Sequence, residues 1–427
     1  QDLTGEFKPG DSFHDHFNLT IVDGSDIFYG DGQIKGENYE YSSFLGSKMY
    51  ERGVRCIDCH NPHTAKLKLP GNLMCLSCHN GSDPKIPAIN PTVHSNHSID
   101  PLYAQNDQGL LEGRDKRKVA KMGGECINCH MPQTVYMQRH WRHDHGFTIP
   151  DPNLTKKFQI PNSCNRCHTD KNPDWAIKWT QKWYGNKMDR PSQSRARVIS
   201  QVKSGDYSNI LKLIEMTQNS SYWKAVAINL LGPFSQDSKD VKNFLINSLD
   251  DKNPLVREKA SQFFDGEIPK KALNDPVRSV RFNAQWAIRS SINLASPEGA
   301  ELWKILNFRS DQPTGRIQKG AFFLSRGENG EAISHYEKAL EWDLYSAPIH
   351  HDLAIILAGQ NRLEEAASHL KKASELEPWD VEHKYKLGLA LNELGKKEQA
   401  IKSLKSALKL DPKNLKIQEA IKAMLLK

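Results

Sequence analysis

Long hydrophobic runs are missing from this 427-residue chain. Its most apolar stretch, Ala225 to Phe234, is broken by Asn229 and Pro233 and falls short of the roughly 20 apolar residues a membrane-spanning helix needs. No membrane span is expected. The residues from Gln1 onward carry no basic, apolar or small-residue export pattern, so the segment reads as a mature product or as one that never had a leader. Clustered positive charge is also scarce. No run of five or more Lys and Arg occurs, so the formal charge of +7 gives nucleic-acid binding no support. There is no cysteine outside one recurring pattern, and no Cys-x-x-Cys-Lys variant of that pattern.

The pattern itself is Cys-x-x-Cys-His. Its four copies are Cys56, Cys59 and His60; Cys75, Cys78 and His79; Cys126, Cys129 and His130; and Cys164, Cys167 and His168. Two thiols three positions apart match the two vinyl groups of a haem, and the adjacent histidine is placed to become the proximal iron ligand. A four-sulfur zinc site or a disulfide pair would use the cysteines. Neither explains a histidine after every second one. The sequence therefore implies four covalently attached haem c groups. Each ferric haem with its two propionates adds about −1, which brings the oxidised protein to roughly +3 and the reduced protein to about −1. Haem of this type is attached outside the cytoplasmic membrane, so an exported protein, periplasmic or extracellular, is expected.

Residues 1–190 hold every cysteine and twelve of the seventeen histidines. They show little helical periodicity, and at roughly one haem per 47 residues the macrocycles must supply much of the buried apolar surface. After the fourth motif, Asn172-Pro173-Asp174 predicts a helix start and Gly185 its end. Trp175, Trp179 and Trp183 then share one face, read as packing against the last haem or the next module. Over 191–312 the pattern is helical. Asp251, Val256, Arg257 and Ala260 recur as Asp275, Val280, Arg281 and Ala284, a HEAT-like spacing, with Pro254 and Pro276 assigned to first helical turns.

Residues 313–427 repeat every 34 positions, the tetratricopeptide (TPR) length. Ala332, Ala366 and Ala400 mark one register and Ala339, Ala373 and Ala407 another, where small residues let helices approach. Gly327, Asn361 and Gly395 share a third, suited to a left-handed residue at a helix end. Pro378 and Pro412 close two units, Leu344 departs from that pattern in the first, and a capping helix is expected from Leu415 to Lys427. The fold class expected is mainly α: a multihaem cytochrome module with little regular secondary structure, then an α-solenoid of HEAT-like and TPR hairpins. His335, His350, His351, His369 and His383 read as ordinary surface or groove residues of these helices.

An electron carrier needs a sixth ligand on each iron. The remaining histidines of the first module are His14, His16, His63, His94, His97, His140, His143 and His145, enough to cap all four. His63 follows His60 too closely to reach the far face of the same haem, so it is expected to ligate a neighbour.

The chain resembles exported bacterial multihaem cytochromes in which a cytochrome module precedes HEAT-like and TPR repeats. The resemblance rests on Phe7-Lys8-Pro9-Gly10-Asp11 leading to Asp15-His16-Phe17, Tyr29 to Gly36 with Asp31-Gly32-Gln33, and Ser43 to Tyr50 before the first motif. Further on it rests on Cys129-His130-Met131-Pro132 with Tyr136-Met137, Asp144-His145-Gly146-Phe147 with Ile149-Pro150, and Pro161-Asn162-Ser163-Cys164. It implies His16, His63, His97 and His145 as distal ligands. His94 competes with His97, and His143 or His140 with His145, while His14 is a bystander. Such relatives carry further haem motifs upstream, so a processed or reduced version is expected, in which one histidine is left unused or offered to another subunit. The stretch from Ser98 to Gly123 reads as an inserted charged surface loop.

Electron transfer through bis-histidine haems is the leading expectation. The repeats would dock other redox proteins or multihaem cytochromes, or further copies of the chain, up to an extracellular filament. The alternative is a multihaem reductase of nitrogen or sulfur oxyanions, which needs one open iron.

Overall fold

The computed structural model describes residues 2–97, 123–136, 139–264 and 268–426. The insertion expected at 98–123 lies outside the described residues except for Gly123, as does Met137. The chain is mainly helical and forms two compact units. One holds Leu19–Phe263, and the other joins Gln1–Asn18 to Phe264–Lys427.

The expected limits at 190 and 312 each fall inside one of these units, where packing joins the segments on either side. Within the first unit, helices Pro191–Lys203 and Ser221–Leu231 lie against the cytochrome segment. The indole of Trp223 donates to the Gly46 carbonyl at 2.9 Å, the Tyr222 and Ser42 hydroxyls lie 3.2 Å apart, and the Arg195 guanidinium sits 3.7 Å from the Trp223 ring. Gly30 has no room for a side chain, because a Cβ there would collide with Ser200. In the second unit Leu3 is buried with Phe282, Leu302 and Phe322, and the Asp15 carboxylate accepts from the Arg278 amide at 2.8 Å.

The cytochrome segment has short helices and one hairpin, strands β1 (Gln133–Tyr136) and β2 (His140–His143), antiparallel with Gln133 opposite His143. The helix Pro173–Tyr184, the longest of this segment among the described residues, starts as its sequence predicts. The Asn172 side chain accepts from the Trp175 amide, Pro173 takes the first turn, and Gly185 ends it at φ 51°.

The two segments expected to be HEAT-like share one geometry. Val256, Ala260, Val280 and Ala284 are fully buried, and each arginine reaches back to the carbonyl of its aspartate, Arg257 to Asp251 at 2.9 Å and Arg281 to Asp275 at 2.7 Å. Pro254 opens its helix as expected. Pro276 does not: the helix is Arg278–Ala287 with Val277 at its N-cap, because the arginine contact holds the Asp275 and Pro276 carbonyls outside it.

The TPR hairpins run from Pro313–Ser325 to Lys397–Leu410, followed by the helix Leu415–Leu426. All six register alanines are fully buried. Gly327, Asn361 and Gly395 have φ of 74°, 59° and 73°, the left-handed conformation that ends each first helix.

Candidate haem sites

Cysteine, cysteine and histidine at positions i, i+3 and i+4 fall on one face of a helical turn. The chain forms that turn at every motif. The His60, His79 and His168 amides donate to the carbonyls of Cys56, Cys75 and Cys164 at 2.9, 3.0 and 2.9 Å, and the third motif is the helix Cys126–His130. None of the eight cysteines is joined to another in a disulfide.

Three motif histidines face a second imidazole. His60 lies opposite His145 with ring centroids 6.3 Å apart, His130 opposite His94 at 6.1 Å, and His168 opposite His97 at 6.2 Å. An imidazole nitrogen binds a first-row metal at about 2.0 Å, and each ring centroid lies about 1.1 Å further out, so two rings sharing one metal from opposite sides sit about 6.2 Å apart. The three spacings match that value. The interplanar angles differ: 34° for His60 and His145, 21° for His94 and His130, and 45° for His97 and His168.

Backbone carbonyls set the tautomers. Nδ1 lies 2.8 Å from the Ala65 carbonyl in His60, 3.1 Å from Pro87 in His79, 2.9 Å from Thr148 in His130, 2.6 Å from Ser95 in His97 and 2.9 Å from His143 in His145. A ring that donates from Nδ1 keeps its Nε2 lone pair for a metal. Burial also lowers the His94, His130 and His145 imidazoles below their ordinary range, which favours the neutral ligand form.

The motifs are tied edge to edge within the unit Leu19–Phe263. Buried Asn72 donates to the Gly124 carbonyl and accepts from the Cys126 amide, both at 2.9 Å, joining the second motif to the third. The Ser163 hydroxyl donates to the Cys129 carbonyl at 2.9 Å, joining the fourth to the third. Gly123 makes room for His97, since a Cβ there would strike its ring. The helix Pro173–Tyr184 backs the paired rings: Trp175 lies 4.6 Å from His168, Trp183 6.2 Å from His97 and Tyr184 5.7 Å from His94, with the Tyr184 hydroxyl donating to the His94 carbonyl at 2.7 Å. Trp179 bridges the two outer tryptophans at 6.4 and 5.5 Å.

Of the four distal residues that the resemblance implies, His97 and His145 stand opposite motif histidines. His94 and His97 are not rivals here, for each faces a different motif. His63 is exposed and faces no imidazole among the described residues, its amide held 2.9 Å from the Asn61 side chain. His16 is buried in the other unit, against Phe7 and 3.2 Å from Asp11. His14 packs on Phe13 of that unit. His140 and His143 belong to β2, and His143 Nδ1 lies 2.6 Å from the Met131 carbonyl. Among the described residues no imidazole stands opposite His79. The contribution of Tyr184 was not legible in the sequence, and the four-residue tryptophan spacing was its nearest signal.

The residues fit haem c. Paired thiols and a tautomer-locked imidazole share a face, and Ile57, Leu67, Leu69, Leu73 and Val93 leave 38–74% of their area exposed beside the motifs, apolar surface of the kind a macrocycle covers. A family model described as "Doubled CXXCH motif" matches residues 49–83, across the first two motifs. One described as "Tetratricopeptide repeat" matches residues 323–382 and 357–425. No curated protein matches the chain. The chain carries covalent haem c at its doubled motif, a group suited to electron transfer, and ends in TPR repeats suited to protein interaction.

Proposed function

We propose that the chain is an exported electron carrier with four haem c groups, one on each motif. The observation that carries this reading is the 6.1–6.3 Å spacing of three imidazole pairs, which is the spacing at which each pair would hold one iron between its rings. Bound haem supplies reversible one-electron exchange between ferric and ferrous iron. The polypeptide would hold the haems through thioethers and imidazoles. Cys56 and Cys59 would take the vinyl groups of the first haem and His60 and His145 its iron, Cys126 and Cys129 with His130 and His94 would do the same for the third, and Cys164 and Cys167 with His168 and His97 for the fourth. Two fixed imidazoles and backing tryptophans limit rearrangement when the charge changes.

The haem of Cys75, Cys78 and His79 is the distinct one. Its proximal ring is locked by the Pro87 carbonyl, yet no second imidazole stands opposite among the described residues. This favours a second reading, in which that iron takes a ligand from another molecule. The ligand is an imidazole of another copy if the carrier self-assembles, as in a filament, or a substrate such as a nitrogen or sulfur oxyanion if it is a reductase. The HEAT-like helices buttress the haem segment, and the TPR repeats dock redox partners or further copies.

Mass spectrometry is expected to find four covalent haems on the intact chain. Carbon monoxide titration of the reduced protein separates the remaining readings. Binding to one haem in four marks an open iron at His79, no binding at any dilution marks a ligand supplied within the chain, and binding that appears on dilution marks a ligand from another copy. Binding to two or more haems overturns the three-pair assignment.

A further inference from the structure

The TPR helices hold four histidines in two face-to-face pairs. His350 and His369 approach Nδ1 to Nδ1 at 2.8 Å, and His351 and His383 at 2.9 Å. Their surroundings differ. The other nitrogen of His350 lies 3.3 Å from the Leu344 carbonyl. His383 instead sits among carboxylates, with Nε2 3.3 Å from Glu377 and Nδ1 3.7 Å from Asp380. Ligand atoms of Glu377, Asp380 and His383 all lie within 4.8 Å of one another. The His383 side chain is 8% exposed, whereas Glu377 and Asp380 are 35% and 37% exposed, which leaves the carboxylate side open to solvent.

We propose that His351, His383 and Asp380 bind one divalent first-row transition ion of the zinc class. Ligands held at about 2.0–2.1 Å by a tetrahedral ion stand about 3.3 Å from one another. The two separations around His383 Nδ1, 2.9 Å to His351 and 3.7 Å to Asp380, bracket that distance. Glu377 takes the outer role: a carboxylate on Nε2 keeps the proton there and leaves the Nδ1 lone pair for the ion. When the ion replaces the proton now shared between the two Nδ1 atoms, that proton passes through solvent to Nε2 of His351, so both ligands remain neutral imidazoles. Two imidazole nitrogens select against calcium and magnesium, which take oxygen ligands. The site spans the helices Ala347–Gly359 and Val381–Glu393, the first helices of consecutive repeats. In a repeat array stability sums over neighbouring interfaces, so an ion here clips two units together.

The test uses the full-length haem-loaded chain, treated with EDTA and dialysed against zinc chloride, with zinc counted against haem iron by mass spectrometry. The proposal expects wild type to hold one more zinc per chain than His351→Gln or Asp380→Asn, with affinity at least tenfold weaker in each variant. Asparagine is as good a helix N-cap as aspartate, so Asp380→Asn keeps the helix start. Zinc is also expected to raise the thermal midpoint of wild type and of His350→Gln, and to leave that of His351→Gln unchanged. Equal zinc uptake by wild type and His351→Gln, no uptake by wild type, or equal loss in His350→Gln overturns the site. Haem spectra stay the same throughout, so this outcome is independent of the electron-transfer reading.

Discussion

Tyr184 touches His94 twice, through its ring and through the hydroxyl that donates to the His94 carbonyl. Tyr184→Phe removes only the hydrogen bond. We expect a loss of about 1 kcal/mol in urea unfolding and a broadened ferric resonance from the His94 and His130 haem alone. That haem should be identifiable. Nearly parallel imidazole planes act on the same iron orbital and split the pair of d levels most, whereas planes closer to crossing split them less. The 21° pair should therefore give the most rhombic low-spin signal and the 45° pair of His97 and His168 the least. Trp183→Ala is expected to move the second signal, seen by electron paramagnetic resonance, and leave the first in place. Asp31 is another residue with a measurable signature. Its carboxylate accepts from the Gln33 amide and side chain, but burial holds it at about 6, above the ordinary 3.8. The folded state thus prefers the protonated form. Its advantage is full below about 4 and is lost as the pH climbs through 6, on the order of 3 kcal/mol. Asp31→Asn should flatten that slope, so the variant gains on wild type between pH 4 and 7 in urea midpoints.

Elements were legible where a local rule decides them. Asn361 sits at φ 59° where the neighbouring repeats have glycine. Asn361→Ala should cost roughly 1–2 kcal/mol in thermal unfolding, while Asn361→Gly should be close to neutral. Ala366 is fully buried in the hairpin core, so Ala366→Leu overpacks it and should cost about 1–3 kcal/mol. The sequence pattern names both positions because a 34-residue period repeats the same steric demand. Pro276 was less legible: a proline before a helix fits either the first turn or the residue ahead of it, and only the Arg281 contact to Asp275 and Pro276 decides. Ligand pairing was harder still. His94 and His97 are three residues apart, and nothing local indicates that both face motif histidines, one at 130 and one at 168.

At the scale of the whole molecule, the sequence showed a cytochrome module followed by helices, and the chain folds as two units that cut across that order. Leu3 belongs to the core of Phe282, Leu302 and Phe322, a partnership no short-range pattern encodes. Haem loading should be separable motif by motif. Replacing both cysteines of one motif with serine is expected to lower the intact mass by one haem each time and leave the other three attached. The largest loss of stability should come from the third motif, since Asn72 and Ser163 tie both of its neighbours to it.

Once iron joins each facing pair, residue 60 is tied to 145, 94 to 130 and 97 to 168. The first loop encloses the second, and the third starts inside both and ends beyond them. Such closures restrict the unfolded chain as cross-links do, but these are bonds that ligand exchange reopens. The polypeptide between them has no route to full disorder until an axial nitrogen lets go. Unfolding should therefore keep time with ligand release, and free imidazole in the buffer should hasten it by taking the place of the ring that lets go.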